Sequence, residues 1–560
     1  MKKNVLTAAA LVLASLVPAA AQTTPAQTPQ AQTPQPVPAP VLKPSETFKT
    51  PGPRIDLSIE EAVARAREKN IDIAVARITP RLSDFSLAGL DANYVVNLTA
   101  QGNQQRSSRL PTSTIQGITS ITPTTTSGWS SGFAKNMWHG GGNWTLNFQN
   151  SRVNTPAANN LRNPQFNSTL AGSYVQPLMR GLRIDATRAS LQTTRISQQN
   201  DEIALQTTVA TTDASVRNGY WDLVYAIQAV EAAQSSLDIA NKLVTDNRAR
   251  VEIGTLAPLD VRTSEAEAAN TRLTLVEAQA TVRTSELALK RLIVSGTDDP
   301  VWVSSINPTD RPPATPEPLN VDAAIARALN QRTDFQQSKN SLKISDINLR
   351  LQEDQTRAQL TLTTSYGLQG LGGPQLNANG SSLPSGYWDA ISNIYGLDAP
   401  QWNFLVNFAY PLGRSAQQAT VERSKLSVEQ SNANLKALEL QIATDVQNAA
   451  LSVQSGLESV QAAQVARQLA QEKLSATQSK LDVGMSTNYE VVQAQRDFFD
   501  AQNAELRAVA NYRKALVNFE TAQTVGSRAV GSTVGSGTGG TGTTNTNTTT
   551  TGGTGGPGGL

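Results

Sequence analysis

The most regular pattern in this sequence is a seven-residue repeat of apolar side chains that runs through two long stretches. The repeat positions are Val209, Val216, Leu223, Val230, Leu237, Val244 and Val251 in the first stretch, and Val446, Val453, Val460, Arg467, Leu474 and Leu481 in the second. A strict period of seven over many turns predicts helices that supercoil left-handedly against their neighbours. The pattern therefore predicts two very long, packed helices.

Small residues follow these positions three places later, which indicates that the helices approach closely. They are Gly219, Ala226, Ala233 and Ala240 in the first stretch, and Ala449, Gly456, Ala463 and Ala470 in the second. The two registers coincide at an offset of 230 residues, so one element is present twice. A helix from about Leu182 to Val251 would be roughly 100 Å long at 1.5 Å per residue.

Each long helix is predicted to end at a turn from which a second helix returns. The first turn contains Gly254 and Pro258, and the second contains Gly484. Glycine adopts the left-handed conformation that ends many helices, and proline suits the first turn of a new helix. The sequence thus predicts two helical hairpin tips, with returning helices that end near Ser295 and Gln523.

A second duplicated segment opens each half of the chain. Residues 57–66 (LSIEEAVARA) match residues 319–328 (LNVDAAIARA) at an offset of 262. Each copy begins with a helix N-cap, because Ser58 can form a capping box with Glu61 and Asn320 occupies the equivalent place. Two repeats of one structural unit are therefore expected.

Composition sets the expected boundaries of these units. We predict a secretory signal peptide at 1–21, a Pro/Thr/Gln-rich linker at 22–53, repeat 1 at 54–300, a linker at 301–318, repeat 2 at 319–525 and a disordered Gly/Thr-rich tail at 526–560. The signal has two lysines, an apolar run and an Ala19-Ala20-Ala21 cleavage site. An uncleaved anchor is the alternative, but the run is shorter than the roughly 20 residues that span a bilayer.

Alternating segments between the helices predict strands. They are 94–101, 128–138, 143–152 and 168–175 in the first half, and 359–369 and 402–410 in the second. The offsets 262 and 230 differ by 32 residues, which an added hairpin in the first half would explain. No later stretch is apolar enough for a transmembrane helix, so a membrane-spanning part would have to be a closed barrel of strands from several chains.

Charge and composition exclude most other classes of function. Only 16% of the 560 residues are charged and the formal net charge is +2, so a nucleic-acid partner is not expected. The chain has no cysteine and one histidine, His139, which leaves no catalytic site, no metal site and no cofactor to predict. We therefore expect a protein that is not an enzyme.

The duplicated order of short helix, strand, loop, strand, long helix, glycine tip and returning helix resembles the TolC-type outer membrane efflux proteins. The resemblance covers about residues 55–525 and includes the strand-to-helix passages at Tyr174-Val-Gln-Pro-Leu178 and Tyr410-Pro-Leu-Gly413. It implies a mostly α fold with β structure: a trimeric outer-membrane β-barrel continued by a long α-helical coiled-coil barrel, built from two internal repeats. The chain would lie in the outer membrane with its helices in the periplasm.

The resemblance also implies partners and sites. The homotrimer would meet a periplasmic adaptor and an inner-membrane transporter, and would contact outer-membrane lipid. The adaptor-docking tips would be Gly254, Thr255, Leu256, Ala257, Pro258, Gly484, Met485, Ser486 and Thr487. The periplasmic aperture would be lined by Asp260, Glu490 and Gln493, where carboxylates repeated by three-fold symmetry would favour cations. The alternative is that the tips are only capped turns, with acidic residues favoured near helix N-termini.

Two residues depart from the pattern of well-known relatives. Gln493 stands where they carry a second aspartate, and Ser486 stands where they carry an arginine that locks the gate. We therefore expect an aperture with less negative charge, and no gate held by a salt bridge from Asp260.

Two features allow more than one interpretation. Five tryptophans in the strand regions, Trp129, Trp138, Trp144, Trp388 and Trp402, are consistent with an aromatic girdle at the membrane interface or with loop packing. Arg467 would either line a water-filled lumen or extend outward.

The function expected from these observations is an outer membrane channel of a tripartite efflux or type I secretion system. A coiled-coil scaffold of the cell envelope is the alternative, and it accounts for the seven-residue repeats but not for the duplicated strand pairs. A hydrolase would need a triad or paired carboxylates, for which His139 has no evident partners. The number of barrel strands in a trimer, 12 or 18, stays open.

Overall fold

A computed structural model describes residues 53–109, 122–155, 161–310, 318–376, 381–413 and 415–526. The predicted signal peptide, the linker at 22–53 and the tail at 526–560 lie outside these residues, apart from Pro53 and Gly526. The described chain is mostly helical with one large sheet and two small ones.

The helices are α1 (Ile59–Lys69), α2 (Ile71–Ala76), α3 (Ile78–Asp91), α4 (Ala186–Glu252), α5 (Pro258–Ile293), α6 (Pro300–Val303), α7 (Val321–Gln331), α8 (Thr333–Gln355), α9 (Tyr387–Tyr395), α10 (Ala416–Asp482) and α11 (Asn488–Ala522). The strands are β1 (Arg54–Leu57), β2 (Asn97–Arg109), β3 (Thr122–Asn136), β4 (Asn143–Asn154), β5 (Gln165–Pro177), β6 (Ser305–Pro308), β7 (Gln359–Gly372), β8 (Gln375–Leu376), β9 (Ser382–Leu383) and β10 (Pro400–Ala409).

The two long helices, α4 and α10, confirm the prediction from the seven-residue repeat. Each has 67 residues, and their ends are related by the offset of 230 that relates the two sequence registers. Repeat positions such as Val216, Leu223, Val446 and Val453 are buried. Helix α11 lies close to α10 at Gly456, where a Cβ would be 3.4 Å from the Cα of Tyr512, an ordinary contact distance. The returning helices α5 and α11 pack along α4 and α10.

The repeat openings also fold as predicted, as the capped helices α1 and α7. Ser58 and Glu61 form the capping box, and the Asn320 side chain accepts a hydrogen bond from the backbone N–H of Ala323. Helix α1 packs on α4, and α7 packs on α10. Each pair contributes to its own apolar core, one around Tyr220 and one around Tyr512.

The first residues of the expected linker at 301–318 form regular secondary structure. Helix α6 and strand β6 form there, and β6 pairs in parallel with β1. The buried hydroxyl of Tyr220 connects this region to α4: it contacts the Asp310 carboxylate at 2.8 Å and the Leu57 carbonyl at 3.0 Å. Burial raises the pKa of Tyr220 to about 12.

All six predicted strands form one antiparallel sheet in the order β10-β7-β5-β4-β3-β2. The added hairpin of the first half is β3–β4, and it lies inside the sheet between β2 and β5. The four strands of this sheet that connect to helices all do so at the same end, because α3 precedes β2, α4 follows β5, α8 precedes β7 and α10 follows β10. The opposite end is called the far end below.

The two faces of this sheet differ in polarity over the part nearer the helices, whereas towards the far end the otherwise apolar face carries polar side chains such as Gln104, Ser127 and Asn150. One, the apolar face, carries Leu98, Trp129, Phe133, Trp144, Leu146, Phe148, Phe166, Leu170, Tyr174, Leu360, Leu362, Tyr366, Leu368, Trp402, Phe404, Val406 and Phe408. The other, the polar face, carries Thr99, Gln101, Asn103, Gln105, Ser130, Thr145, Asn147, Gln149, Asn167, Thr169, Ser173, Thr361, Thr363, Ser365, Gln369, Asn403 and Asn407. Residues directly opposite each other in an antiparallel pair share a face, so both sets run across all six strands.

Helix α9 lies in the segment between β7 and β10, where the sequence predicts only a loop. It lies on the apolar face at the far end, where β7 carries Gly370 and Gly372. A Cβ on Gly370 would overlap the carbonyl oxygen of Ala390, so only glycine permits this contact.

Within the described ranges, no helix is both long enough and apolar enough to cross a membrane.

Candidate functional site

The first hairpin tip ends α4 with a Schellman motif, as its glycine predicts. Gly254 has a φ of 79°, in the left-handed region. Its N–H donates to the carbonyl of Val251 at 3.0 Å, and the N–H of Thr255 donates to the carbonyl of Arg250 at 2.9 Å. These two bonds satisfy carbonyls that the end of the helix would leave unpaired.

The second tip repeats this backbone geometry at the end of α10. Gly484 has a φ of 80°, its N–H donates to Leu481 at 3.1 Å, and the N–H of Met485 donates to Lys480 at 2.8 Å. The two tips are therefore the same turn, built twice from different side chains.

The starts of the two returning helices differ. Helix α5 begins with Ala257 at the N-cap and Pro258 in its first turn, without a side-chain cap. Helix α11 begins with a capping box in which the Thr487 hydroxyl accepts from the Glu490 N–H at 3.3 Å. The Ser486 hydroxyl donates to the Glu490 carboxylate, and this bond, with a second from the Thr487 backbone, lowers the pKa of Glu490 below its usual value.

The structure joins the two tips through a buried cluster of polar side chains, Asn247, Ser264 and Asn488. Their exposed fractions are 1%, 1% and 3%. The Asn247 amide donates to the Ser264 hydroxyl at 2.6 Å and to the Asn488 side-chain oxygen at 2.8 Å. The Asn488 amide donates to the backbone carbonyl of Asp260 at 3.2 Å. Three helices, α4, α5 and α11, therefore meet at one polar contact.

Sequence reasoning missed this cluster, although one signal for it was present. Asn247 is the next position in the series of small residues that ends at Ala240, so the seven-residue repeat places it on the side that faces another helix. A buried asparagine at such a position commonly fixes the register of packed helices. Its partner Asn488 lies more than two hundred residues away, and no sequence pattern connects the two.

Ion pairs surround this polar cluster. Arg250, at the end of α4, donates to Asp482 at 2.7 Å and so bridges the ends of the two long helices. Arg496 of α11 pairs with Glu267 of α5, whose side chain is almost fully buried. Beside these pairs, Leu243, Val491 and Val492 form a small apolar core.

The predicted aperture residues occupy different environments. Asp260 is half-buried, next to the polar cluster, whereas Glu490 and Gln493 are exposed on α11. The Gln493 amide donates to Asp497 at 2.8 Å, and Lys473 pairs with the same carboxylate at 2.7 Å. These bonds lower the pKa of Asp497, with the bond from Lys473 as the largest cause.

The structure also places Arg467 and three of the tryptophans that the sequence singled out. Arg467 forms an ion pair with Glu505 of α11. Three of the five tryptophans, Trp129, Trp144 and Trp402, lie on the apolar face of the sheet. Among the described residues, no group of three or more His, Cys, Asp or Glu side chains is placed to hold a metal ion.

Comparison with known proteins agrees with this architecture. The model of the family described as "Outer membrane efflux protein" matches residues 145–294 and 324–523, well over half of the chain. No curated protein matches the sequence.

Solved structures share the fold at low sequence identity. The CmeC outer membrane channel of Campylobacter jejuni is 14% identical, with a TM-score of 0.58 over 83% of this chain and 85% of that one. The outer membrane protein VceC of Vibrio cholerae is 14% identical, with a TM-score of 0.60 over 83% and 96%. The MtrE outer membrane channel of Neisseria gonorrhoeae, solved in an open state, is 16% identical, with a TM-score of 0.55 over 84% and 89%. The chain therefore belongs to the outer membrane efflux protein family, a family of outer-membrane channels.

Proposed function

We propose that this protein is the passive, homotrimeric outer-membrane channel of a tripartite efflux pump or type I secretion system. An inner-membrane transporter would drive transport, and a periplasmic adaptor would connect it to the helical tips. The observation that carries the proposal is the six-stranded sheet. It has one apolar face, one polar face and two open edges, and each edge continues into a helix with an exposed apolar stripe.

The two faces fit a barrel wall in which lipid lies outside and water inside. Aromatic and aliphatic residues such as Tyr366 and Trp402 would meet the hydrocarbon, and amides and hydroxyls such as Gln149 and Thr169 would line the lumen. A membrane barrel requires this alternation along every strand. The described side chains of the polar face are uncharged, so the wall itself would select weakly among ions.

The open edges are β2 and β10, which pair on one side only. A sheet in lipid cannot leave a row of backbone groups unpaired, so β2 of one copy would pair with β10 of the next. Six strands per chain in a homotrimer give a barrel of 18 strands. The position of the β3–β4 hairpin inside the sheet supports this number over 12.

The helices beyond the two edges support the same ring. Helices α2 and α3, which lead into β2, expose a stripe with coiled-coil spacing: Ile71, Val75, Ile78, Leu82 and Phe85, each at least half exposed. Helix α10, which follows β10, exposes Leu426 and Leu440, two heptads apart. Both stripes lie within about 40 Å of the sheet along their helices, so they would meet across the same boundary between copies.

The tips offer a surface that suits an adaptor. Five large apolar side chains are exposed around the two turns, although the helices nearby bury theirs: Ile253, Leu259, Val483, Met485 and Tyr489. Exposed apolar clusters of this kind mark binding sites for other proteins. The docking residues would be the turns themselves, 254–258 and 484–487.

Asp260, Glu490 and Gln493 would line the periplasmic aperture. Three copies of Glu490, each ionised, would make a ring that favours cations. The variant Glu490→Gln should lower the cation preference of the reconstituted channel. An unchanged reversal potential in a salt gradient would remove Glu490 from the aperture.

The proposal is tested by planar-bilayer conductance and electron microscopy of the full-length protein extracted from outer membranes. We expect ion conductance and three-fold hollow particles. Leu82→Asp, which places a charge in the exposed stripe of α3, should abolish both, whereas Ala88→Asp, on α3 outside that stripe, should leave them intact. Non-conducting solid rods would instead support the coiled-coil scaffold of the cell envelope.

A further inference from the structure

We propose that the far end of the apolar face is a docking site for a phosphate-bearing lipid of the outer leaflet, formed by Arg152, Arg106 and helix α9. The inference rests on the proposed function, because it requires that this face meets the membrane. Its position at the far end, opposite the helices, would place it in the external leaflet.

Helix α9 covers part of the apolar face and replaces it with a new outer surface. Ala390 and Ile394 are buried against the sheet, and the Asn393 amide donates to the Leu371 carbonyl at 3.1 Å. On its other side, α9 exposes 76% of Trp388 and 83% of Tyr395. Tryptophan and tyrosine are the side chains that prefer the boundary between lipid headgroups and acyl chains.

Arg152 lies beside α9 on the same face. The strand register places Arg152 opposite Phe166, and Phe166 opposite Gly372, which lies under α9. Two strand spacings separate Arg152 from Gly372, or about 10 Å. The ring of Phe166 contacts Tyr387 of α9 edge-on, with centroids 6.0 Å apart, so the helix and the strand row form one continuous surface.

Arg106 adds a second cation on this face. It lies opposite Thr125 on β3, one step along the apolar face from Ser127, which lies opposite Arg152. Both arginines are exposed, and neither forms an ion pair within the described chain. A free guanidinium at the rim of a hydrocarbon-facing surface is suited to a phosphate group, because its planar donors bind phosphate oxygens in pairs.

The surface between the arginines and the helix end of the sheet suits acyl chains. The row next to Arg152 on this face holds Asn150 and Trp129, and Trp129 packs edge-on against Phe148 of the following row, with ring centroids 5.4 Å apart. Further along the same face are Leu146 and Phe133. A cationic rim above an aromatic and aliphatic wall matches a molecule with a phosphate head and hydrocarbon tails.

The inference is tested by native mass spectrometry of the full-length protein in neutral detergent, titrated with phosphatidic acid. We expect saturable binding of the lipid, and binding about tenfold weaker for each of Arg106→Gln and Arg152→Gln because each removes a charge-assisted bond to phosphate. Lys135→Gln is the matched control, since it removes a cation from the same face near the helices and should leave binding unchanged.

Three further measurements separate the possible outcomes. Trp388→Ser should weaken binding of phosphatidic acid, and diacylglycerol, which lacks the phosphate, should not bind at this site. Equal binding by the arginine variants and the wild type would overturn the inference, as would displacement of the lipid by millimolar inorganic phosphate, which would indicate a site for free anions. Conductance is recorded on the same variants: a channel that conducts but never binds phosphatidic acid refutes the lipid site and leaves the proposed function intact.

Discussion

The buried contact between the two tips makes a sharp prediction for the variant Asn488→Ala. The Asn488 side chain forms three hydrogen bonds: it accepts from Asn247 at 2.8 Å, and donates to Ser264 at 3.0 Å and to the Asp260 carbonyl at 3.2 Å. Alanine removes all three and introduces no clash. The variant therefore measures how strongly α11 is held to α4 and α5.

The partners that remain limit the size of the effect. A buried hydrogen bond contributes about 0.5–1.5 kcal/mol, and a buried group left unpaired costs more. In Asn488→Ala, the Asn247 amide keeps Ser264 at 2.6 Å, and the Asp260 carbonyl keeps the Ser264 hydroxyl at 2.9 Å. Each partner atom keeps one hydrogen bond, and only one N–H of the Asn247 amide is left unpaired, so we expect the free energy of opening the tips to fall by about 2 kcal/mol.

Amide hydrogen exchange of the extracted, assembled protein measures this change. A fall of about 2 kcal/mol speeds exchange roughly 30-fold in the first turns of α5 and α11. Asn432→Ala is the control, because that exposed amide donates only to the Val428 carbonyl of its own helix. Exchange at the tips that changes no more in Asn488→Ala than in Asn432→Ala would refute the account of the polar contact.

Three further predictions concern pH and backbone conformation. The lowered pKa of Glu490 keeps its carboxylate ionised as the pH falls below the usual carboxyl range, so Ser486→Ala, which removes the main cause, should move the loss of cation selectivity to higher pH in reversal-potential measurements. At Gly254 the φ of 79° would strain any side chain, although a Cβ there meets no atom within 4 Å, so Gly254→Ala should destabilise the tip by about 1–2 kcal/mol in hydrogen exchange, whereas Gly296→Ala, without a left-handed φ, should not. The raised pKa of Tyr220 means that its stabilising contribution is complete below pH 10 and is lost as the pH rises through about 12; Tyr220→Phe should lower thermal stability at neutral pH and flatten the alkaline unfolding curve in this window.

The sequence predicted the periodic parts of this protein well. The helix α4 begins four residues after the expected Leu182 and ends at Glu252, one residue after the expected Val251. The six strands of the large sheet all overlap the segments where alternation placed them, although every one is longer than predicted, β2 and β5 the most. Both glycine turns formed with the left-handed conformation that their residues favour. Local preferences and periodic burial agree in these segments, so the sequence alone specifies them.

Two short elements, helix α9 and strand β6, were not predicted from the sequence, and the reason is the same for both. Helix α9 is only nine residues long, and its position depends on the two glycines of β7 that leave room for it. Strand β6 has four residues and is held by parallel pairing with β1, about 250 residues earlier in the chain. Short segments like these are stabilised by contacts with residues far away in the chain, and no local sequence pattern indicates those contacts.

The candidate site likewise combines features that neighbouring residues specify with contacts that depend on helix packing. Neighbouring residues specify the glycine turn and the acidic residue of each tip and the capping box of the second, because a helix end is satisfied by groups within one turn of it. The contact of Asn488 with Asn247 and Ser264 required three helices to be packed before it existed. The long helices, the tips and the alternating strands follow from local sequence patterns. Which tip residues meet and which strands form the open edges follows only from packing, because those pairings depend on distances between residues far apart in the chain.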